Sequence, residues 1–142
     1  MNDYSLLLTG SLYIASGFTN KDKVRYVSEK LKSKGFTHTY DWTKNERAST
    51  FEALYEIGLQ EKNAVIEADF VIVLLPAGKG SHIEFGIALG QGKKIYLYSS
   101  DDEVNNFETT STFYHLPQVE IVIGSLDDIV QTILSKGVQI VE

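Results

Sequence analysis

The 142-residue chain contains no cysteine. Disulfides, thiolate nucleophiles and cysteine-ligated zinc are excluded together, which suits a reducing compartment, with the cytoplasm as the default expectation. A basic stripe is missing too. The 13 lysines and arginines are scattered among 19 acidic residues, for a net charge of -6, so a nucleic-acid polymer would find no surface to neutralise its phosphates. Residues 6–18 are the most apolar stretch near the start. Asp3 stands where a signal peptide would carry positive charge, and Thr9, Gly10, Ser11 and Ser16 interrupt the stretch. The expectation is neither a leader nor a membrane span but one or two buried strands. No repeat or linker is visible, and 43% hydrophobic content is enough to fill one core, so residues 1–142 are expected to form a single domain.

Against these absences stands a regular alternation of strand and helix patterns. Residues 11–15 (SLYIA) read as a first strand, and residues 16–20 (SGFTN) as a turn with a capping side chain. Val24, Val27, Leu31 and Gly35 then recur at helical spacing, with Gly35 as the stop. Residues 36–40 (FTHTY) alternate like a short strand, and residues 41–47 (DWTKNER) are turn-like. A helix is expected over 49–67, with Phe51, Leu54, Tyr55, Gly58, Val65 and Ile66 as its apolar face. Residues 70–75 (FVIVLL) are hydrophobic at every position, as a parallel strand buried on both faces requires. A helix over 81–89, ended by Gly90 or Gly92, leads to a strand at 94–98 (KIYLY). The pattern weakens over 99–117. A last strand at 119–123 (VEIVI) precedes a helix over 125–134, where Ser125 and Asp128 resemble a capping pair.

The economical architecture is α/β: a doubly wound, mainly parallel five-stranded sheet with helices on both faces, of the flavodoxin-like or Rossmann-like kind. Ligands of such sheets bind outside the carboxyl ends of the strands, where strand order reverses. The turns at residues 16–20 and 76–81 should therefore meet.

The second of these turns belongs to the run Leu-Pro-Ala-Gly-Lys-Gly-Ser-His-Ile-Glu-Phe-Gly, residues 75–86. It is not a P-loop, because Lys79 is followed by Gly80 and position 73, where the spacing demands glycine, is valine. The dinucleotide fingerprint fails at Ile83, the place of its third glycine. His82 and Glu84 match the H-x-E fragment of zinc deaminases, but the cysteine ligands are missing and the chain has only three histidines. Neither a metal nor a cofactor is expected. One reading remains for the turn: Gly78, Gly80 and Ser81 let a helix N-terminus present amides to an anion such as phosphate, with Ser81 adding a hydroxyl. Glu84, in the first turn of that helix, would be a competent carboxylate nucleophile. The plainer alternative is a capping serine and a first-turn glutamate that only stabilise a helix, with His82 a surface imidazole beside them.

The residues ADFVIVLLPAGKGSHIEFGIALGQGKKIYLY, positions 68–98, resemble the core signature of the nucleoside 2-deoxyribosyltransferase family. The matching features are an apolar strand, a glycine-containing turn, Glu84-Phe85-Gly86-Ile87-Ala88, and Gly92-Lys93 leading into the next strand. Tyr13-Ile14-Ala15-Ser16-Gly17-Phe18 is similar to the family's first strand and turn. The resemblance implies that an N-glycosidic bond is cleaved, by hydrolysis or by base exchange, with Glu84 attacking the anomeric carbon to form a glycosyl ester. Tyr13 would orient Glu84. Glu61 stands where the family usually has an aspartate gripping a sugar hydroxyl, which leaves ribose against deoxyribose open. Gly78-Lys79-Gly80-Ser81 resembles the branch that hydrolyses nucleoside 5′-monophosphates, where serine and glycines hold the phosphate.

Substrate-binding candidates are thus Phe18, Gly78, Gly80, Ser81, His82 and Asp41. Phe18 could stack on a base, and Asp41 and Trp42 could approach the same cleft, although packing at the sheet edge is the favoured reading of Trp42. The partner implied is a small nucleoside or nucleotide. By resemblance the chain is a homodimer or larger homo-oligomer, with the aromatic residues Phe107, Phe113 and Tyr114 as a contact surface. A catalytically inactive nucleotide-binding or signalling module of the same fold is the competing expectation.

Overall fold

A computed structural model describes residues 10–140. Residues 6–9 of the first apolar segment lie outside the described residues. The strands are β1 (Gly10–Ser16), β2 (Phe36–His38), β3 (Phe70–Leu74), β4 (Lys94–Ser99) and β5 (Val119–Ile123), and the helices are α1 (Lys21–Lys32), α2 (Phe51–Glu67), α3 (Lys79–Gly90) and α4 (Leu126–Ile140). The strands form one sheet in the order β2-β1-β3-β4-β5. All four pairings are parallel, with Tyr13 opposite Val71 and Val71 opposite Ile95 in the central register. Helix α1 packs with α4, and α2 packs with α3, giving the doubly wound α/β arrangement.

The three central strands explain their own composition. With helices over both faces, β1, β3 and β4 are buried almost throughout, so alternation gives way to continuous apolar runs. The edge strands β2 and β5 are shorter or only half-buried. Order reverses between β1 and β3, so the chain leaves these neighbours in opposite directions and opens a crevice at their carboxyl ends.

Helix α1 buries Val24, Val27 and Leu31 as its spacing requires. Helix α2 departs from expectation. Its candidate core residues Phe51, Leu54 and Tyr55 are exposed, Phe51 by 90%, and Ile66 is exposed as well. Only Ala64 and Val65 are buried. The helix leans on the protein through its C-terminal part, so the first two turns stand clear of the core. Its start is Phe51 rather than 49 because Thr50 is the N-cap, its hydroxyl accepting the Ala53 N–H at 3.0 Å. Strand β2 ends at His38, two residues early. There Thr39 turns its hydroxyl to the Ala64 carbonyl, and Tyr40 pairs with the Asn45 side chain. The final helix starts with the expected capping pair, Ser125 and Asp128 exchanging backbone-to-side-chain bonds of 2.8 and 3.2 Å.

The far end of α2 is held by a cation. Lys93 donates its ammonium to the carbonyls of Ile66 and Ala68 at 2.7 and 2.6 Å. Those groups carry the negative end of the helix dipole and have no acceptor-satisfying partner within the helix. Gly92 just before it adopts φ +72°, which lets the chain reverse from α3 so that Lys93 can reach across. Replacing Lys93 with methionine keeps the aliphatic stem but removes these charge-assisted bonds. We expect a loss of about 1–3 kcal/mol in urea unfolding; an unchanged midpoint would refute this assignment.

Candidate active site

The two turns at the reversal point do meet. The Gly17 N–H donates to the Pro76 carbonyl at 3.2 Å, and a side chain at position 17 would bring a Cβ within 3.0 Å of that oxygen. Ser16 donates to the Leu74 carbonyl at 2.7 Å, while Asn20 reaches both the Ser16 hydroxyl at 2.9 Å and the Pro76 carbonyl at 3.3 Å. All of these bonds join segments more than fifty positions apart in sequence, apart from the one between Asn20 and Ser16. They fix the base of a cleft of about 280 Å³, close to the lower size of small-molecule sites.

Tyr13 and Glu84 form the centre of this cleft, with Glu61 beside them. Tyr13 lies mid-strand in β1 with no exposed surface, yet its hydroxyl donates to Glu84 Oε2 at 3.0 Å. It is a core residue and a site residue at once. Helix α3 begins at Lys79, so Glu84 sits in its second turn rather than its first. Ser81 precedes it by three positions and is buried on the same side, as helical spacing requires. Glu61 projects from α2 and is within hydrogen-bonding reach of Glu84.

Burial, and then the charge of Glu61, push the Glu84 carboxyl well above the usual carboxylate range. Burial raises Glu61 as well. Two carboxylates this close cannot both ionise cheaply, so the pair retains a proton at neutral pH. Tyr13 biases its position. Its phenol is held far above its ordinary value, by burial first and by the two carboxylates next, so it remains a donor. That bond works against the rise at Glu84, but the contact between the two carboxyls raises Glu84 and lowers Glu61, so the shared proton rests chiefly on Glu84.

The turn before α3 is built differently from the expectation. Gly78, not Ser81, is the N-cap. The Ser81 hydroxyl accepts the Gly78 N–H at 2.6 Å and donates to the Gly78 carbonyl at 3.2 Å. The Gly78 amide and the Ser81 hydroxyl are therefore committed to each other. The amides of Lys79, Gly80 and Ser81 come ahead of the first intrahelical bond, from the His82 N–H to the Gly78 carbonyl at 3.1 Å. These are the donors a bound anion would meet, with the exposed Lys79 ammonium near them.

Phe18 and Trp42 form the rim. Phe18 is half exposed, with its ring 6.5 Å from that of Trp42 and the Lys21 ammonium 4.0 Å from its centroid. Trp42 packs at the sheet edge, its indole N–H donating to the Ile14 carbonyl at 2.7 Å, and it also lines the cleft. Two candidates are elsewhere. Asp41 caps a short 3-10 turn by accepting the Thr43 N–H at 3.0 Å, and does not line the cleft. His82 points to the other side of the turn, into a second cavity. Ser16 and Gly17 were not among the candidates for substrate contact and do line the cleft, as does Trp42, for which edge packing was the favoured reading. The polar turn after β1 carried the signal for the first two. Among the described residues no group of three or more His, Asp or Glu is arranged to hold a metal ion, and no helix is long and apolar enough to cross a membrane.

The model of a family described as nucleoside 2-deoxyribosyltransferase matches residues 12–118. Among solved structures, that of the Clostridium botulinum CMP N-glycosidase BcmB is similar, with a TM-score of 0.56 over 86% of this chain and 96% of that one, at 20% sequence identity. At that identity the likeness is one of fold. No curated protein matches the chain.

The electrostatics make a stability prediction. A carboxyl whose folded pKa is raised contributes most below its unfolded value, near 4.5, and its contribution falls as pH rises toward the folded value. Glu84→Gln should therefore raise the melting temperature at pH 7.5, by on the order of 3–6 °C, and Glu61→Gln by less. Both gains should vanish near pH 4.5. Equal gains at the two pH values would contradict the burial argument.

Proposed function

The chain belongs to the nucleoside 2-deoxyribosyltransferase family, and on that premise we propose that it cleaves the N-glycosidic bond of a small nucleoside 5′-monophosphate, by hydrolysis ahead of base exchange. The observation that carries this reading is the buried Tyr13–Glu84 hydrogen bond at 3.0 Å, set beside the free amides at the start of α3. It supports a nucleophile and an anion subsite on one helix, with Glu84 six residues into α3 and the phosphate at its N-terminus. In the first step Glu84, its proton passed to Glu61, attacks the anomeric carbon as the carboxylate. The bond from that carbon to the base nitrogen breaks, the base leaves with the electron pair, and it is protonated from solvent. Water then attacks the same carbon of the glycosyl ester and gives up a proton to solvent as the ester bond breaks, returning the Glu84 carboxylate and releasing the sugar 5-phosphate.

The roles follow from the chemistry of each group. Tyr13 holds Glu84 in position and favours its ionised form. Glu61, which lines the cleft from α2, is hydrogen-bonded to a sugar hydroxyl. Lys79, with the amides of Gly80 and Ser81, neutralises the 5′-phosphate, and Phe18 offers a ring face to the base. The mechanism needs no metal. The reading includes self-association, for which the exposed apolar side chains of α2 (Phe51, Leu54, Tyr55) and Phe107 and Phe113 are available surfaces. Tyr114, the third of the aromatic residues considered for that contact, is buried.

Chromatography after incubation with nucleosides and 5′-monophosphates, with and without an acceptor base, tests the activity. Release of base from a monophosphate is expected, lost by at least about 10³-fold in Glu84→Ala and unaffected by chelator. No release and no exchange at high protein concentration would leave a binding module as the function. Sedimentation should give a mass above the 15.9 kDa of one chain; a monomer at all concentrations would remove self-association from the reading.

A further inference from the structure

The carbonyl of Gly78 is unusually well held. It accepts from the His82 N–H at 3.1 Å, the Ser81 hydroxyl at 3.2 Å and His82 Nδ1 at 2.9 Å. A carbonyl can only accept, so Nδ1 carries the imidazole proton. His82 Nε2, 2.7 Å from the Tyr114 hydroxyl, is then the acceptor of a bond that Tyr114 donates. The Tyr114 ring stacks on His82, with centroids 6.1 Å apart and planes at 17°, and meets Phe85 edge-on at 5.6 Å. Tyr114 is buried and comes from a 3-10 turn, Thr112–His115. His115 in turn anchors that segment through the Thr110 hydroxyl and the Val104 carbonyl. Neither His82 nor Tyr114 lines the cleft. Both face a separate cavity of about 390 Å³ beyond the Pro76–Ala77 segment.

We propose that Tyr114, acting through His82, is a positioning residue for the anion-facing amides at the start of α3. The peptide group joining Gly78 to Lys79 is planar and trans, so its C=O and N–H point in opposite directions. Fixing the carbonyl toward His82 aims the Lys79 N–H out of the helix end. Glycine at 78 and 80 leaves this turn without side-chain restraint, and a Cβ at either position would meet nothing within 4 Å. The direction of the Lys79 amide therefore depends on what grips the Gly78 oxygen. Two of the three grips come from position 82, and Tyr114 holds its ring.

This inference rests on the anion subsite proposed above, and the test separates the two. Inorganic phosphate is titrated into the full chain while the amide resonances of Lys79 and Gly80 are followed by NMR. Saturable shifts are expected in the natural protein. In His82→Phe, which keeps the ring stack but neither side-chain hydrogen bond, the affinity should fall at least about fivefold. Tyr114→Phe should fall in the same direction by less, and serves as the decisive variant if His82→Phe does not fold. In turnover, the KM for a 5′-monophosphate should rise at least about fivefold while that for the unphosphorylated nucleoside stays within about twofold. Phosphate affinity unchanged in a folded variant, equal losses on both substrates, or no amide response in the natural protein would each overturn the proposal. Phosphate binding that weakens as expected in a protein that cleaves nothing would instead defeat the proposed function and leave this positioning role standing.

Discussion

A single hydrogen bond, from a phenol in the middle of the sheet to a carboxylate on the helix above it, sets the terms for the rest of the cleft. Tyr13 has no exposed surface and its hydroxyl bonds Glu84 at 3.0 Å. A buried hydroxyl without a partner would be costly, and so would a buried carboxylate. Each relieves the other. Moving α3 away from β1 would leave both groups unsatisfied, so the packing of helix on sheet and the orientation of the glutamate become one requirement. The proximity of Glu61 then adds a conflict that only a retained proton resolves.

That arrangement runs against stability. Two acidic groups are held in a site that disfavours their charge, and the chain compensates elsewhere: through the Lys93 contacts to the end of α2, the capping pair at α4, and three central strands with almost no exposed surface. The molecule thus separates its duties. The sheet and the helix ends provide rigidity, while the cleft between α2 and α3 carries two carboxyls that burial disfavours as charges.

The sheet was legible in the sequence because burial on both faces leaves an unmistakable record: residues 70–75 could hardly be anything but an inner strand, and residues 119–123 were delimited correctly. The apolar positions of α2 were misassigned for an equally physical reason. Spacing reports that one face of a helix is apolar, not whether the same chain covers it, and Phe51 and Tyr55 are exposed. The turn at 76–81 was placed at the cleft, but the helix was expected to begin at Ser81, and it begins at Lys79. Gly78 is the N-cap because its backbone is extended there, a property of the fold rather than of the residue. His82 illustrates the same limit: its place beside Glu84 in sequence could not reveal that it turns toward Tyr114, since the segment holding Tyr114 consists of short 3-10 turns without periodicity. The grouping of Tyr13, Glu61 and Glu84 came from a resemblance, and their separation in sequence gave no independent route to it.

The near contact of Gly17 with the Pro76 carbonyl has a further consequence for how such a cleft can vary. With only 3.0 Å available to a Cβ at position 17, the two turns meet main chain to main chain there, buttressed by the side chains of Ser16 and Asn20. The Gly17 amide and the Pro76 carbonyl keep their chemistry whatever residues surround them, whereas Ser16 and Asn20 are tied to the joint by their side chains. Variation is easiest at the rim, where Phe18 and Lys79 are exposed and can be exchanged without disturbing the joint beneath. The protein has a floor that geometry keeps constant and a margin that substitution can edit.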